Sequence, residues 1–432
     1  MNLWFSLAWH SAWSRRFALV LVTVSVSVSV LILLGVQQLR EDAKRSFSNA
    51  VSGVDLIVGP RGSATELMLY SVFQIGRPSK NMGIRGYEDL QRMPQVRWVI
   101  PIQLGDTYKG YPVLGTTSTL FTEFKSQGHG LEWAFGRAFG NPLTDEQAVN
   151  EVVLGAEVAK HFNHNIDDQL ILTHGADGGP EDTDHDDHPL VVVGILKPTG
   201  APIDRSVLVN LEGFESMHQG WGMGISPKAL KSAAAALPGT TSATDLQPVN
   251  LSAVWVGLHH RTEVFSVKRK IESLGREPLM AVLPGVALDE LWQVVKIVEN
   301  SLVVIGMMVS VSAMLSVAAV LLVAMSGRRK ELAILRAMGA SPRALMGFVL
   351  IESVMVCLIG IALGYAATQV LILIAQDVLR TQFGVLVQPG LPSLQALVSM
   401  GLLFCVSMFA SLLPAWRAYS LSLMDGLHPP SV

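Results

Sequence analysis

The densest group of ionisable side chains in this 432-residue chain lies between residues 161 and 188. There His161, His164, His174, His185 and His188 are interspersed with Asp177, Glu181, Asp182, Asp184, Asp186 and Asp187, and no Lys or Arg intervenes. Imidazole together with carboxylate suits zinc and other borderline divalent ions. In Asp184-His-Asp-Asp-His188 the two rings are spaced to reach one ion, so His185, His188, Asp184 and Asp186, with His174 upstream, form a candidate zinc set. The competing reading is a solvated acidic loop over Asp177 to His188, since no H-E-x-x-H is present and a polar loop preorganises ligands poorly. Nucleophilic catalysis has no motif to rest on: the chain contains neither G-x-S-x-G nor C-x-x-C, and its two cysteines, Cys357 and Cys405, both sit in apolar runs.

The second group is cationic: Gly327-Arg-Arg-Lys-Glu-Leu-Ala-Ile-Leu-Arg-Ala-Met-Gly-Ala-Ser341. At helical spacing Arg328, Glu331 and Leu335 share a face, Leu332, Ile334, Leu335 and Met338 give an apolar side, and Gly339 is a helix stop. Such a short amphipathic helix either docks a partner or only anchors a loop at a membrane surface.

A membrane is required by composition. Half the residues are apolar and only 16% are charged, against roughly 25% in an ordinary soluble protein. A spanning helix needs about 20 apolar residues, and four segments qualify: 17–36, 301–326, 344–375 and 395–416. The first contains the period-two run Val22-Thr-Val-Ser-Val-Ser-Val-Ser-Val30, which in water would read as a strand. In lipid a lone strand leaves its backbone unpaired, so length overrides periodicity and a helix is expected. The run is too long for a signal-peptide core and no A-x-A site follows it, which favours an uncleaved anchor.

Cations fall before the first span (Arg15, Arg16), in 327–343 (Arg328, Arg329, Lys330, Arg336, Arg343) and after the fourth (Arg417). Positive-inside bias then places segments 1–16, 327–343 and 417–432 in the cytoplasm. Region 37–300 carries 23 Lys+Arg against 31 Asp+Glu and faces outward, as does the short loop 376–394. This acidic region, with no basic stripe, gives nucleic-acid binding no support. Its runs Asp55–Val58, Trp98–Leu104, Val152–Leu154, Gln169–Thr173, Leu190–Leu196, Ser206–Asn210 and Ala253–Leu258 predict strands, and Tyr87–Met93 and Thr262–Leu274 predict helices. The fold class expected is four transmembrane helices with a large α+β extracytoplasmic domain inserted between the first two. Val286 to Val298 has near-helical apolar spacing and runs into the second span as a stalk. Within the third span, Gly360 and Gly364 form a G-x-x-x-G that permits close helix approach, inside one subunit or between two. Glu352, about 12 Å from the inner face at 1.5 Å per residue, is the one acid inside a span. It is read as a helix-packing partner or a functional group.

Several of these stretches resemble one family. The segment Arg329-Lys-Glu-Leu-Ala-Ile-Leu-Arg-Ala-Met-Gly-Ala-Ser341 is similar to the signature of MacB/LolC/FtsX-type ABC transporter permeases, the type VII or mechanotransmission class. So are Ile351-Glu352, Gly360-Ile-Ala-Leu-Gly364 and Leu413-Pro-Ala-Trp-Arg-Ala418. In the outer region Ser52-Gly-Val-Asp-Leu-Ile-Val-Gly59 and Val193-Gly-Ile-Leu-Lys-Pro-Thr-Gly200 resemble the same permeases. The resemblance implies a coupling helix carrying Arg328, Arg329, Glu331, Leu332, Leu335, Arg336 and Gly339, docked on a cytoplasmic ABC ATPase dimer. It further implies a second permease copy and a place in the bacterial inner membrane, with the large domain in the periplasm. The chain has no G-x-x-x-x-G-K-[ST], so it is expected to be no enzyme itself, and ATP is expected to act through the partner. The cargo stays open: metal-linked (zinc) transport, lipoprotein release and partnership with a periplasmic binding protein are all compatible. A membrane-anchored periplasmic ligand or metal sensor is the reading from another class.

Overall fold

The computed structural model describes residues 16–126, 128–142, 145–174, 189–218, 250–275, 277–327, 336–383, 387 and 389–420. Along the chain these form α1 (Arg16–Ala50), β1 (Leu56–Pro60), α2 (Ala64–Ser71), β2 (Met82–Gly83), α3 (Ile84–Gln91), β3 (Val96–Tyr108), β4 (Tyr111–Thr116), α4 (Thr119–Glu123), β5 (Lys125–Ser126), β6 (His129–Gly130) and β7 (Trp133–Gly136). There follow β8 (Glu151–Leu154), α5 (Ala156–Phe162), β9 (Gln169–Leu170), β10 (Thr173–His174), β11 (Leu190–Leu196), β12 (Val207–Asn210), α6 (Leu211–His218), β13 (Asn250–Leu251), β14 (Ala253–Leu258), α7 (Val264–Glu272) and β15 (Leu279–Val282). Three long helices close the chain: α8 (Pro284–Gly327), α9 (Pro342–Phe383) and α10 (Leu394–Ser420). The elements separate into two compact units, a helical one (Met1–Asp42, Val295–Asp377, Val387–Val432) and a sheet-containing one (Ala43–Val294, Val378–Leu386).

In the helical unit, α1, α8, α9 and α10 are each long and apolar enough to cross a membrane. The Val-Ser alternation of α1 is helical throughout. Its hydroxyls turn back on the helix, Thr23 Oγ1 donating to the Leu19 carbonyl at 2.8 Å, Ser27 Oγ to Thr23 at 2.8 Å and Ser29 Oγ to Ser25 at 3.0 Å. These three hydroxyls are thereby satisfied without water, as a lipid environment demands. Val22, Val26, Ser29, Val30 and Leu34 make one buried stripe at helical spacing. That stripe packs in a cluster with Met314, Val317, Val356 and Leu403 from the other three helices.

The second unit is built on an 11-stranded mixed sheet with the order β15-β1-β14-β3-β4-β12-β8-β11-β7, β10 adding to β3 and β9 to β11. Most neighbours are antiparallel; β4 with β12 and β8 with β11 are parallel. The 13-residue β3 serves three partners, pairing through Val96–Ile102 with β14, through Gln103–Tyr108 with β4 and at Asp106–Thr107 with β10. Strands β8, β12 and β14 are buried at every residue, the pattern of strands covered on both faces. The predicted single strand Gln169–Thr173 is two strands instead: Gln169–Leu170 pairs with β11 and Thr173–His174 with β3, the chain crossing between them. Strands β4, β7 and β15, and the two-residue β2, β5, β6 and β13, went unpredicted, β4 because it contains Pro112 and Gly115, residues that usually mark strand ends.

Candidate functional site

Two motif segments of the outer unit owe their residues to local architecture. Asp55, just before β1, accepts from the Leu258 amide at 2.8 Å and from Arg261 Nε at 2.9 Å, tying the start of β1 to the end of β14. In the second motif, the turn Lys197-Pro-Thr-Gly200 folds around the Asp204 carboxylate. That group is buried and accepts from the Thr199 and Gly200 amides and from Thr199 Oγ1, all at 2.8–3.0 Å. Gly155 lies against the backbone carbonyls of Ile203 and Asp204, where a Cβ would overlap them. These contacts shape the fold.

The histidine cluster divides. Asp184, His185, Asp186 and His188 lie outside the described residues, and His174 is placed only through its backbone, which pairs with Asp106 on β3. His164 is fully engaged: Nδ1 lies 3.1 Å from Asp168 Oδ2 and Nε2 lies 2.9 Å from Tyr108 Oη. Asp168 also accepts from the Asn165 amide at 2.9 Å. That amide and the imidazole hold the Asp168 carboxyl below its ordinary range. His161 stacks edge-on against Phe162, with ring centroids 4.8 Å apart. Among the described residues no group of three His, Cys, Asp or Glu side chains is arranged to hold a metal.

Of the proposed coupling residues, Arg328, Arg329, Glu331, Leu332 and Leu335 lie outside the described residues. Arg336 is half-buried, and Gly339 donates its amide to the Arg336 carbonyl at 3.0 Å. Gly339 takes φ +100°, a conformation open to glycine and strained for other residues, and this ends the turn before α9 begins. In α9, Gly360 and Gly364 face α1. A Cβ on Gly360 would stand 2.7 Å from Val26 Cγ1, and one on Gly364 would stand 2.6 Å from Val30 Cβ and 2.7 Å from the Ser27 carbonyl. Ser27 Oγ donates to the Gly360 carbonyl at 3.0 Å, sealing the crossing. Both glycines therefore serve packing within one subunit. Glu352 is buried on the same helix.

Sequence reading missed a polar cluster where α1 leaves its apolar run. Gln37 and Ser399 of α10 share amide and hydroxyl bonds at 2.8 and 3.3 Å. Gln369 of α9 donates to Gln38 Oε1 at 3.3 Å, and Ser393 Oγ donates to Glu41 Oε1 at 3.2 Å. Arg40 Nη1 lies 2.9 Å from Glu299 Oε1 of α8. Gln369 also accepts from the Gly390 amide at 3.1 Å, and Tyr365 Oη donates to the Gly390 carbonyl at 2.6 Å. The signal available was the sudden Gln37-Gln-Leu-Arg-Glu41 after a 20-residue uncharged run.

Comparison with known proteins agrees with four apolar helices and a mixed-sheet domain. The MacB-like periplasmic core domain profile matches residues 17–248, and the FtsX-like permease C-terminal profile matches 303–423. The chain belongs to this MacB/FtsX-type permease family. It is a multi-pass membrane permease with a periplasmic domain. Permeases of this ABC transporter family work with ATP through a partner. Among solved structures, the chain is similar to the periplasmic region of MacB from Actinobacillus actinomycetemcomitans at 12% identity and TM-score 0.32, over 57% of this chain and 95% of that one. It is also similar to the extracellular domain of the noncanonic ABC-type transporter YknZ from Gram-positive bacteria at 14% identity and TM-score 0.30, over 53% of this chain and 98% of that one. No curated protein matches the chain.

Proposed function

We propose that this chain is the permease subunit that passes a conformational change from a separate cytoplasmic ATPase to its periplasmic domain. The observation that carries this is α8, one uninterrupted 44-residue helix from Pro284 to Gly327. It includes outer-unit core residues Ala287 and Leu288 near one end and the second span near the other, and the chain then enters the basic segment Arg328–Gly339. A helix has one backbone hydrogen bond per residue along its length, so a displacement at one end is carried with little loss. In this reading both termini and 327–343 are cytoplasmic, 37–300 and 376–394 are periplasmic, and two copies of the chain sit on an ATPase dimer.

The test is capture of a soluble ATPase by the full chain from native membranes. Glu331→Lys and Arg336→Glu are each expected to abolish capture at unchanged membrane level. Capture undiminished in both variants, or protease cleavage of 328–343 from the periplasmic side, refutes the reading. Metal-linked cargo rests on Asp184–His188 alone; calorimetry with zinc on the full chain and on a version lacking 177–188 decides it, equal heats removing the idea.

A further inference from the structure

One helical turn of α1 meets all three other spanning helices. Gln37 reaches α10 and Glu41, a turn on, reaches Ser393 just before it; Gln38 reaches α9; Arg40, on the side opposite Gln38, reaches α8. The contacts differ in kind. Against α9, α1 is held by shape, because Val26 and Val30 fill the space above Gly360 and Gly364, and sliding would drive side chains into backbone. Against α8 the lipid-depth contact is looser. A Cβ on Gly306 would have Leu33 and Ile32 no nearer than 3.7 Å, and the shared cluster is side chain on side chain through Met314 and Val317. Smooth apolar surfaces leave such helices free to slide, since lipid is as apolar as the contact itself. Beyond these apolar contacts, the Arg40–Glu299 ion pair joins α8 to α1 at 2.9 Å. Its Glu299 side chain is only 16% exposed and Arg40 41%, so the pair is partly withdrawn from water.

We propose that Arg40 and Glu299 are positioning residues that pin α8 to the bundle formed by α1, α9 and α10, so that displacement of α8 moves α1 with it. This deepens the transmission reading above and rests on it for its purpose, though the pin itself does not. Arg40 supplies a forked guanidinium that one carboxylate oxygen can retain through small rotations, which suits a joint that must hold while it moves.

The test uses the full chain in lipid nanodiscs, with Cys357→Ser and Cys405→Ser and spin labels at the exposed positions Val28 on α1 and Val304 on α8. A control pair joins Val28 to Leu371 on α9. Arg40→Glu and Glu299→Arg are each expected to widen the α1–α8 distance distribution about two-fold while leaving α1–α9 unchanged, and the double reversal restores the original width, as coupled sites require. Arg40→Lys keeps the charge and is expected to restore most of it. Unchanged distributions in the single variants, equal widening of the control pair, or a double variant as wide as the singles overturns the proposal. A second arm reads capture of the ATPase by the full chain: if the first arm behaves as expected while no ATPase is captured, the transmission reading fails and the pin stands.

Discussion

The two units of this protein bury apolar side chains by opposite rules. In the sheet unit β8, β12 and β14 hide every residue, whereas in the most apolar stretch of α10 only 17% of residues are buried. Water drives apolar groups inward in the first case. Lipid does no such sorting in the second, so the helices find one another through glycines, hydroxyls and charged pairs. The lesson is that equal hydrophobicity carries different information on the two sides of a membrane surface. In the periplasmic unit it says where the core is, and in the spans it says only how deep the residue lies.

The largest expected effect separates these rules directly. Ile100→Ala, fully buried in the sheet, is expected to cost the periplasmic unit about 2–5 kcal/mol. Leu402→Ala, 63% exposed on α10, is expected to change thermal stability by less than about 0.5 kcal/mol. Equal losses in melting experiments on the full chain would break the comparison. Next comes Gly364→Val, whose new side chain meets Val30 and the Ser27 carbonyl and is expected to cost about 2–3 kcal/mol of helix packing. Gly401→Val on α10, with open space around it, is expected to leave monodisperse yield in detergent unchanged. A milder loss, about 1–2 kcal/mol, is expected for Asp204→Ala, which strands the Thr199 and Gly200 amides.

The smallest effect is set by pH. Burial works against the charged Glu151, but the Arg137 guanidinium and the Gly140 amide outweigh it and hold the carboxyl below its ordinary range. Asp168 is lowered likewise. A carboxyl depressed in the folded state stabilises above its unfolded pKa, and that contribution disappears as pH falls through the folded value. The periplasmic unit is therefore expected to weaken in acid, below about pH 4, and Glu151→Gln is expected to flatten that limb of a stability–pH curve. An unaltered acid limb in the variant would locate the acid sensitivity elsewhere.

What could be read from residues alone varied by element. The four spans were legible because 20 consecutive uncharged residues have few other uses, and the alternation of Val22–Val30 misleads only if water is assumed as solvent. The strand Leu190–Leu196 was legible from its unbroken Val/Ile/Leu run. β4 was hidden by Pro112 and Gly115, because its pairing with β3 and β12 is a long-range fact that local propensity does not encode. His164 looked like part of a metal cluster, yet both its ring nitrogens are occupied by residues 56 positions upstream and 4 downstream.

The sequence by itself marked four helices long and apolar enough to cross a membrane, since transfer between water and lipid depends on the summed polarity of consecutive residues. It also put Gly360 and Gly364 on one side of a helix, where their size permits close approach, a matter of spacing. Which neighbour they face was decided by the fold, which sets α1 there, and so was the choice of Glu299 as partner for Arg40 across 259 residues of chain. Such pairings join residues far apart along the chain, and no local rule holds that distance.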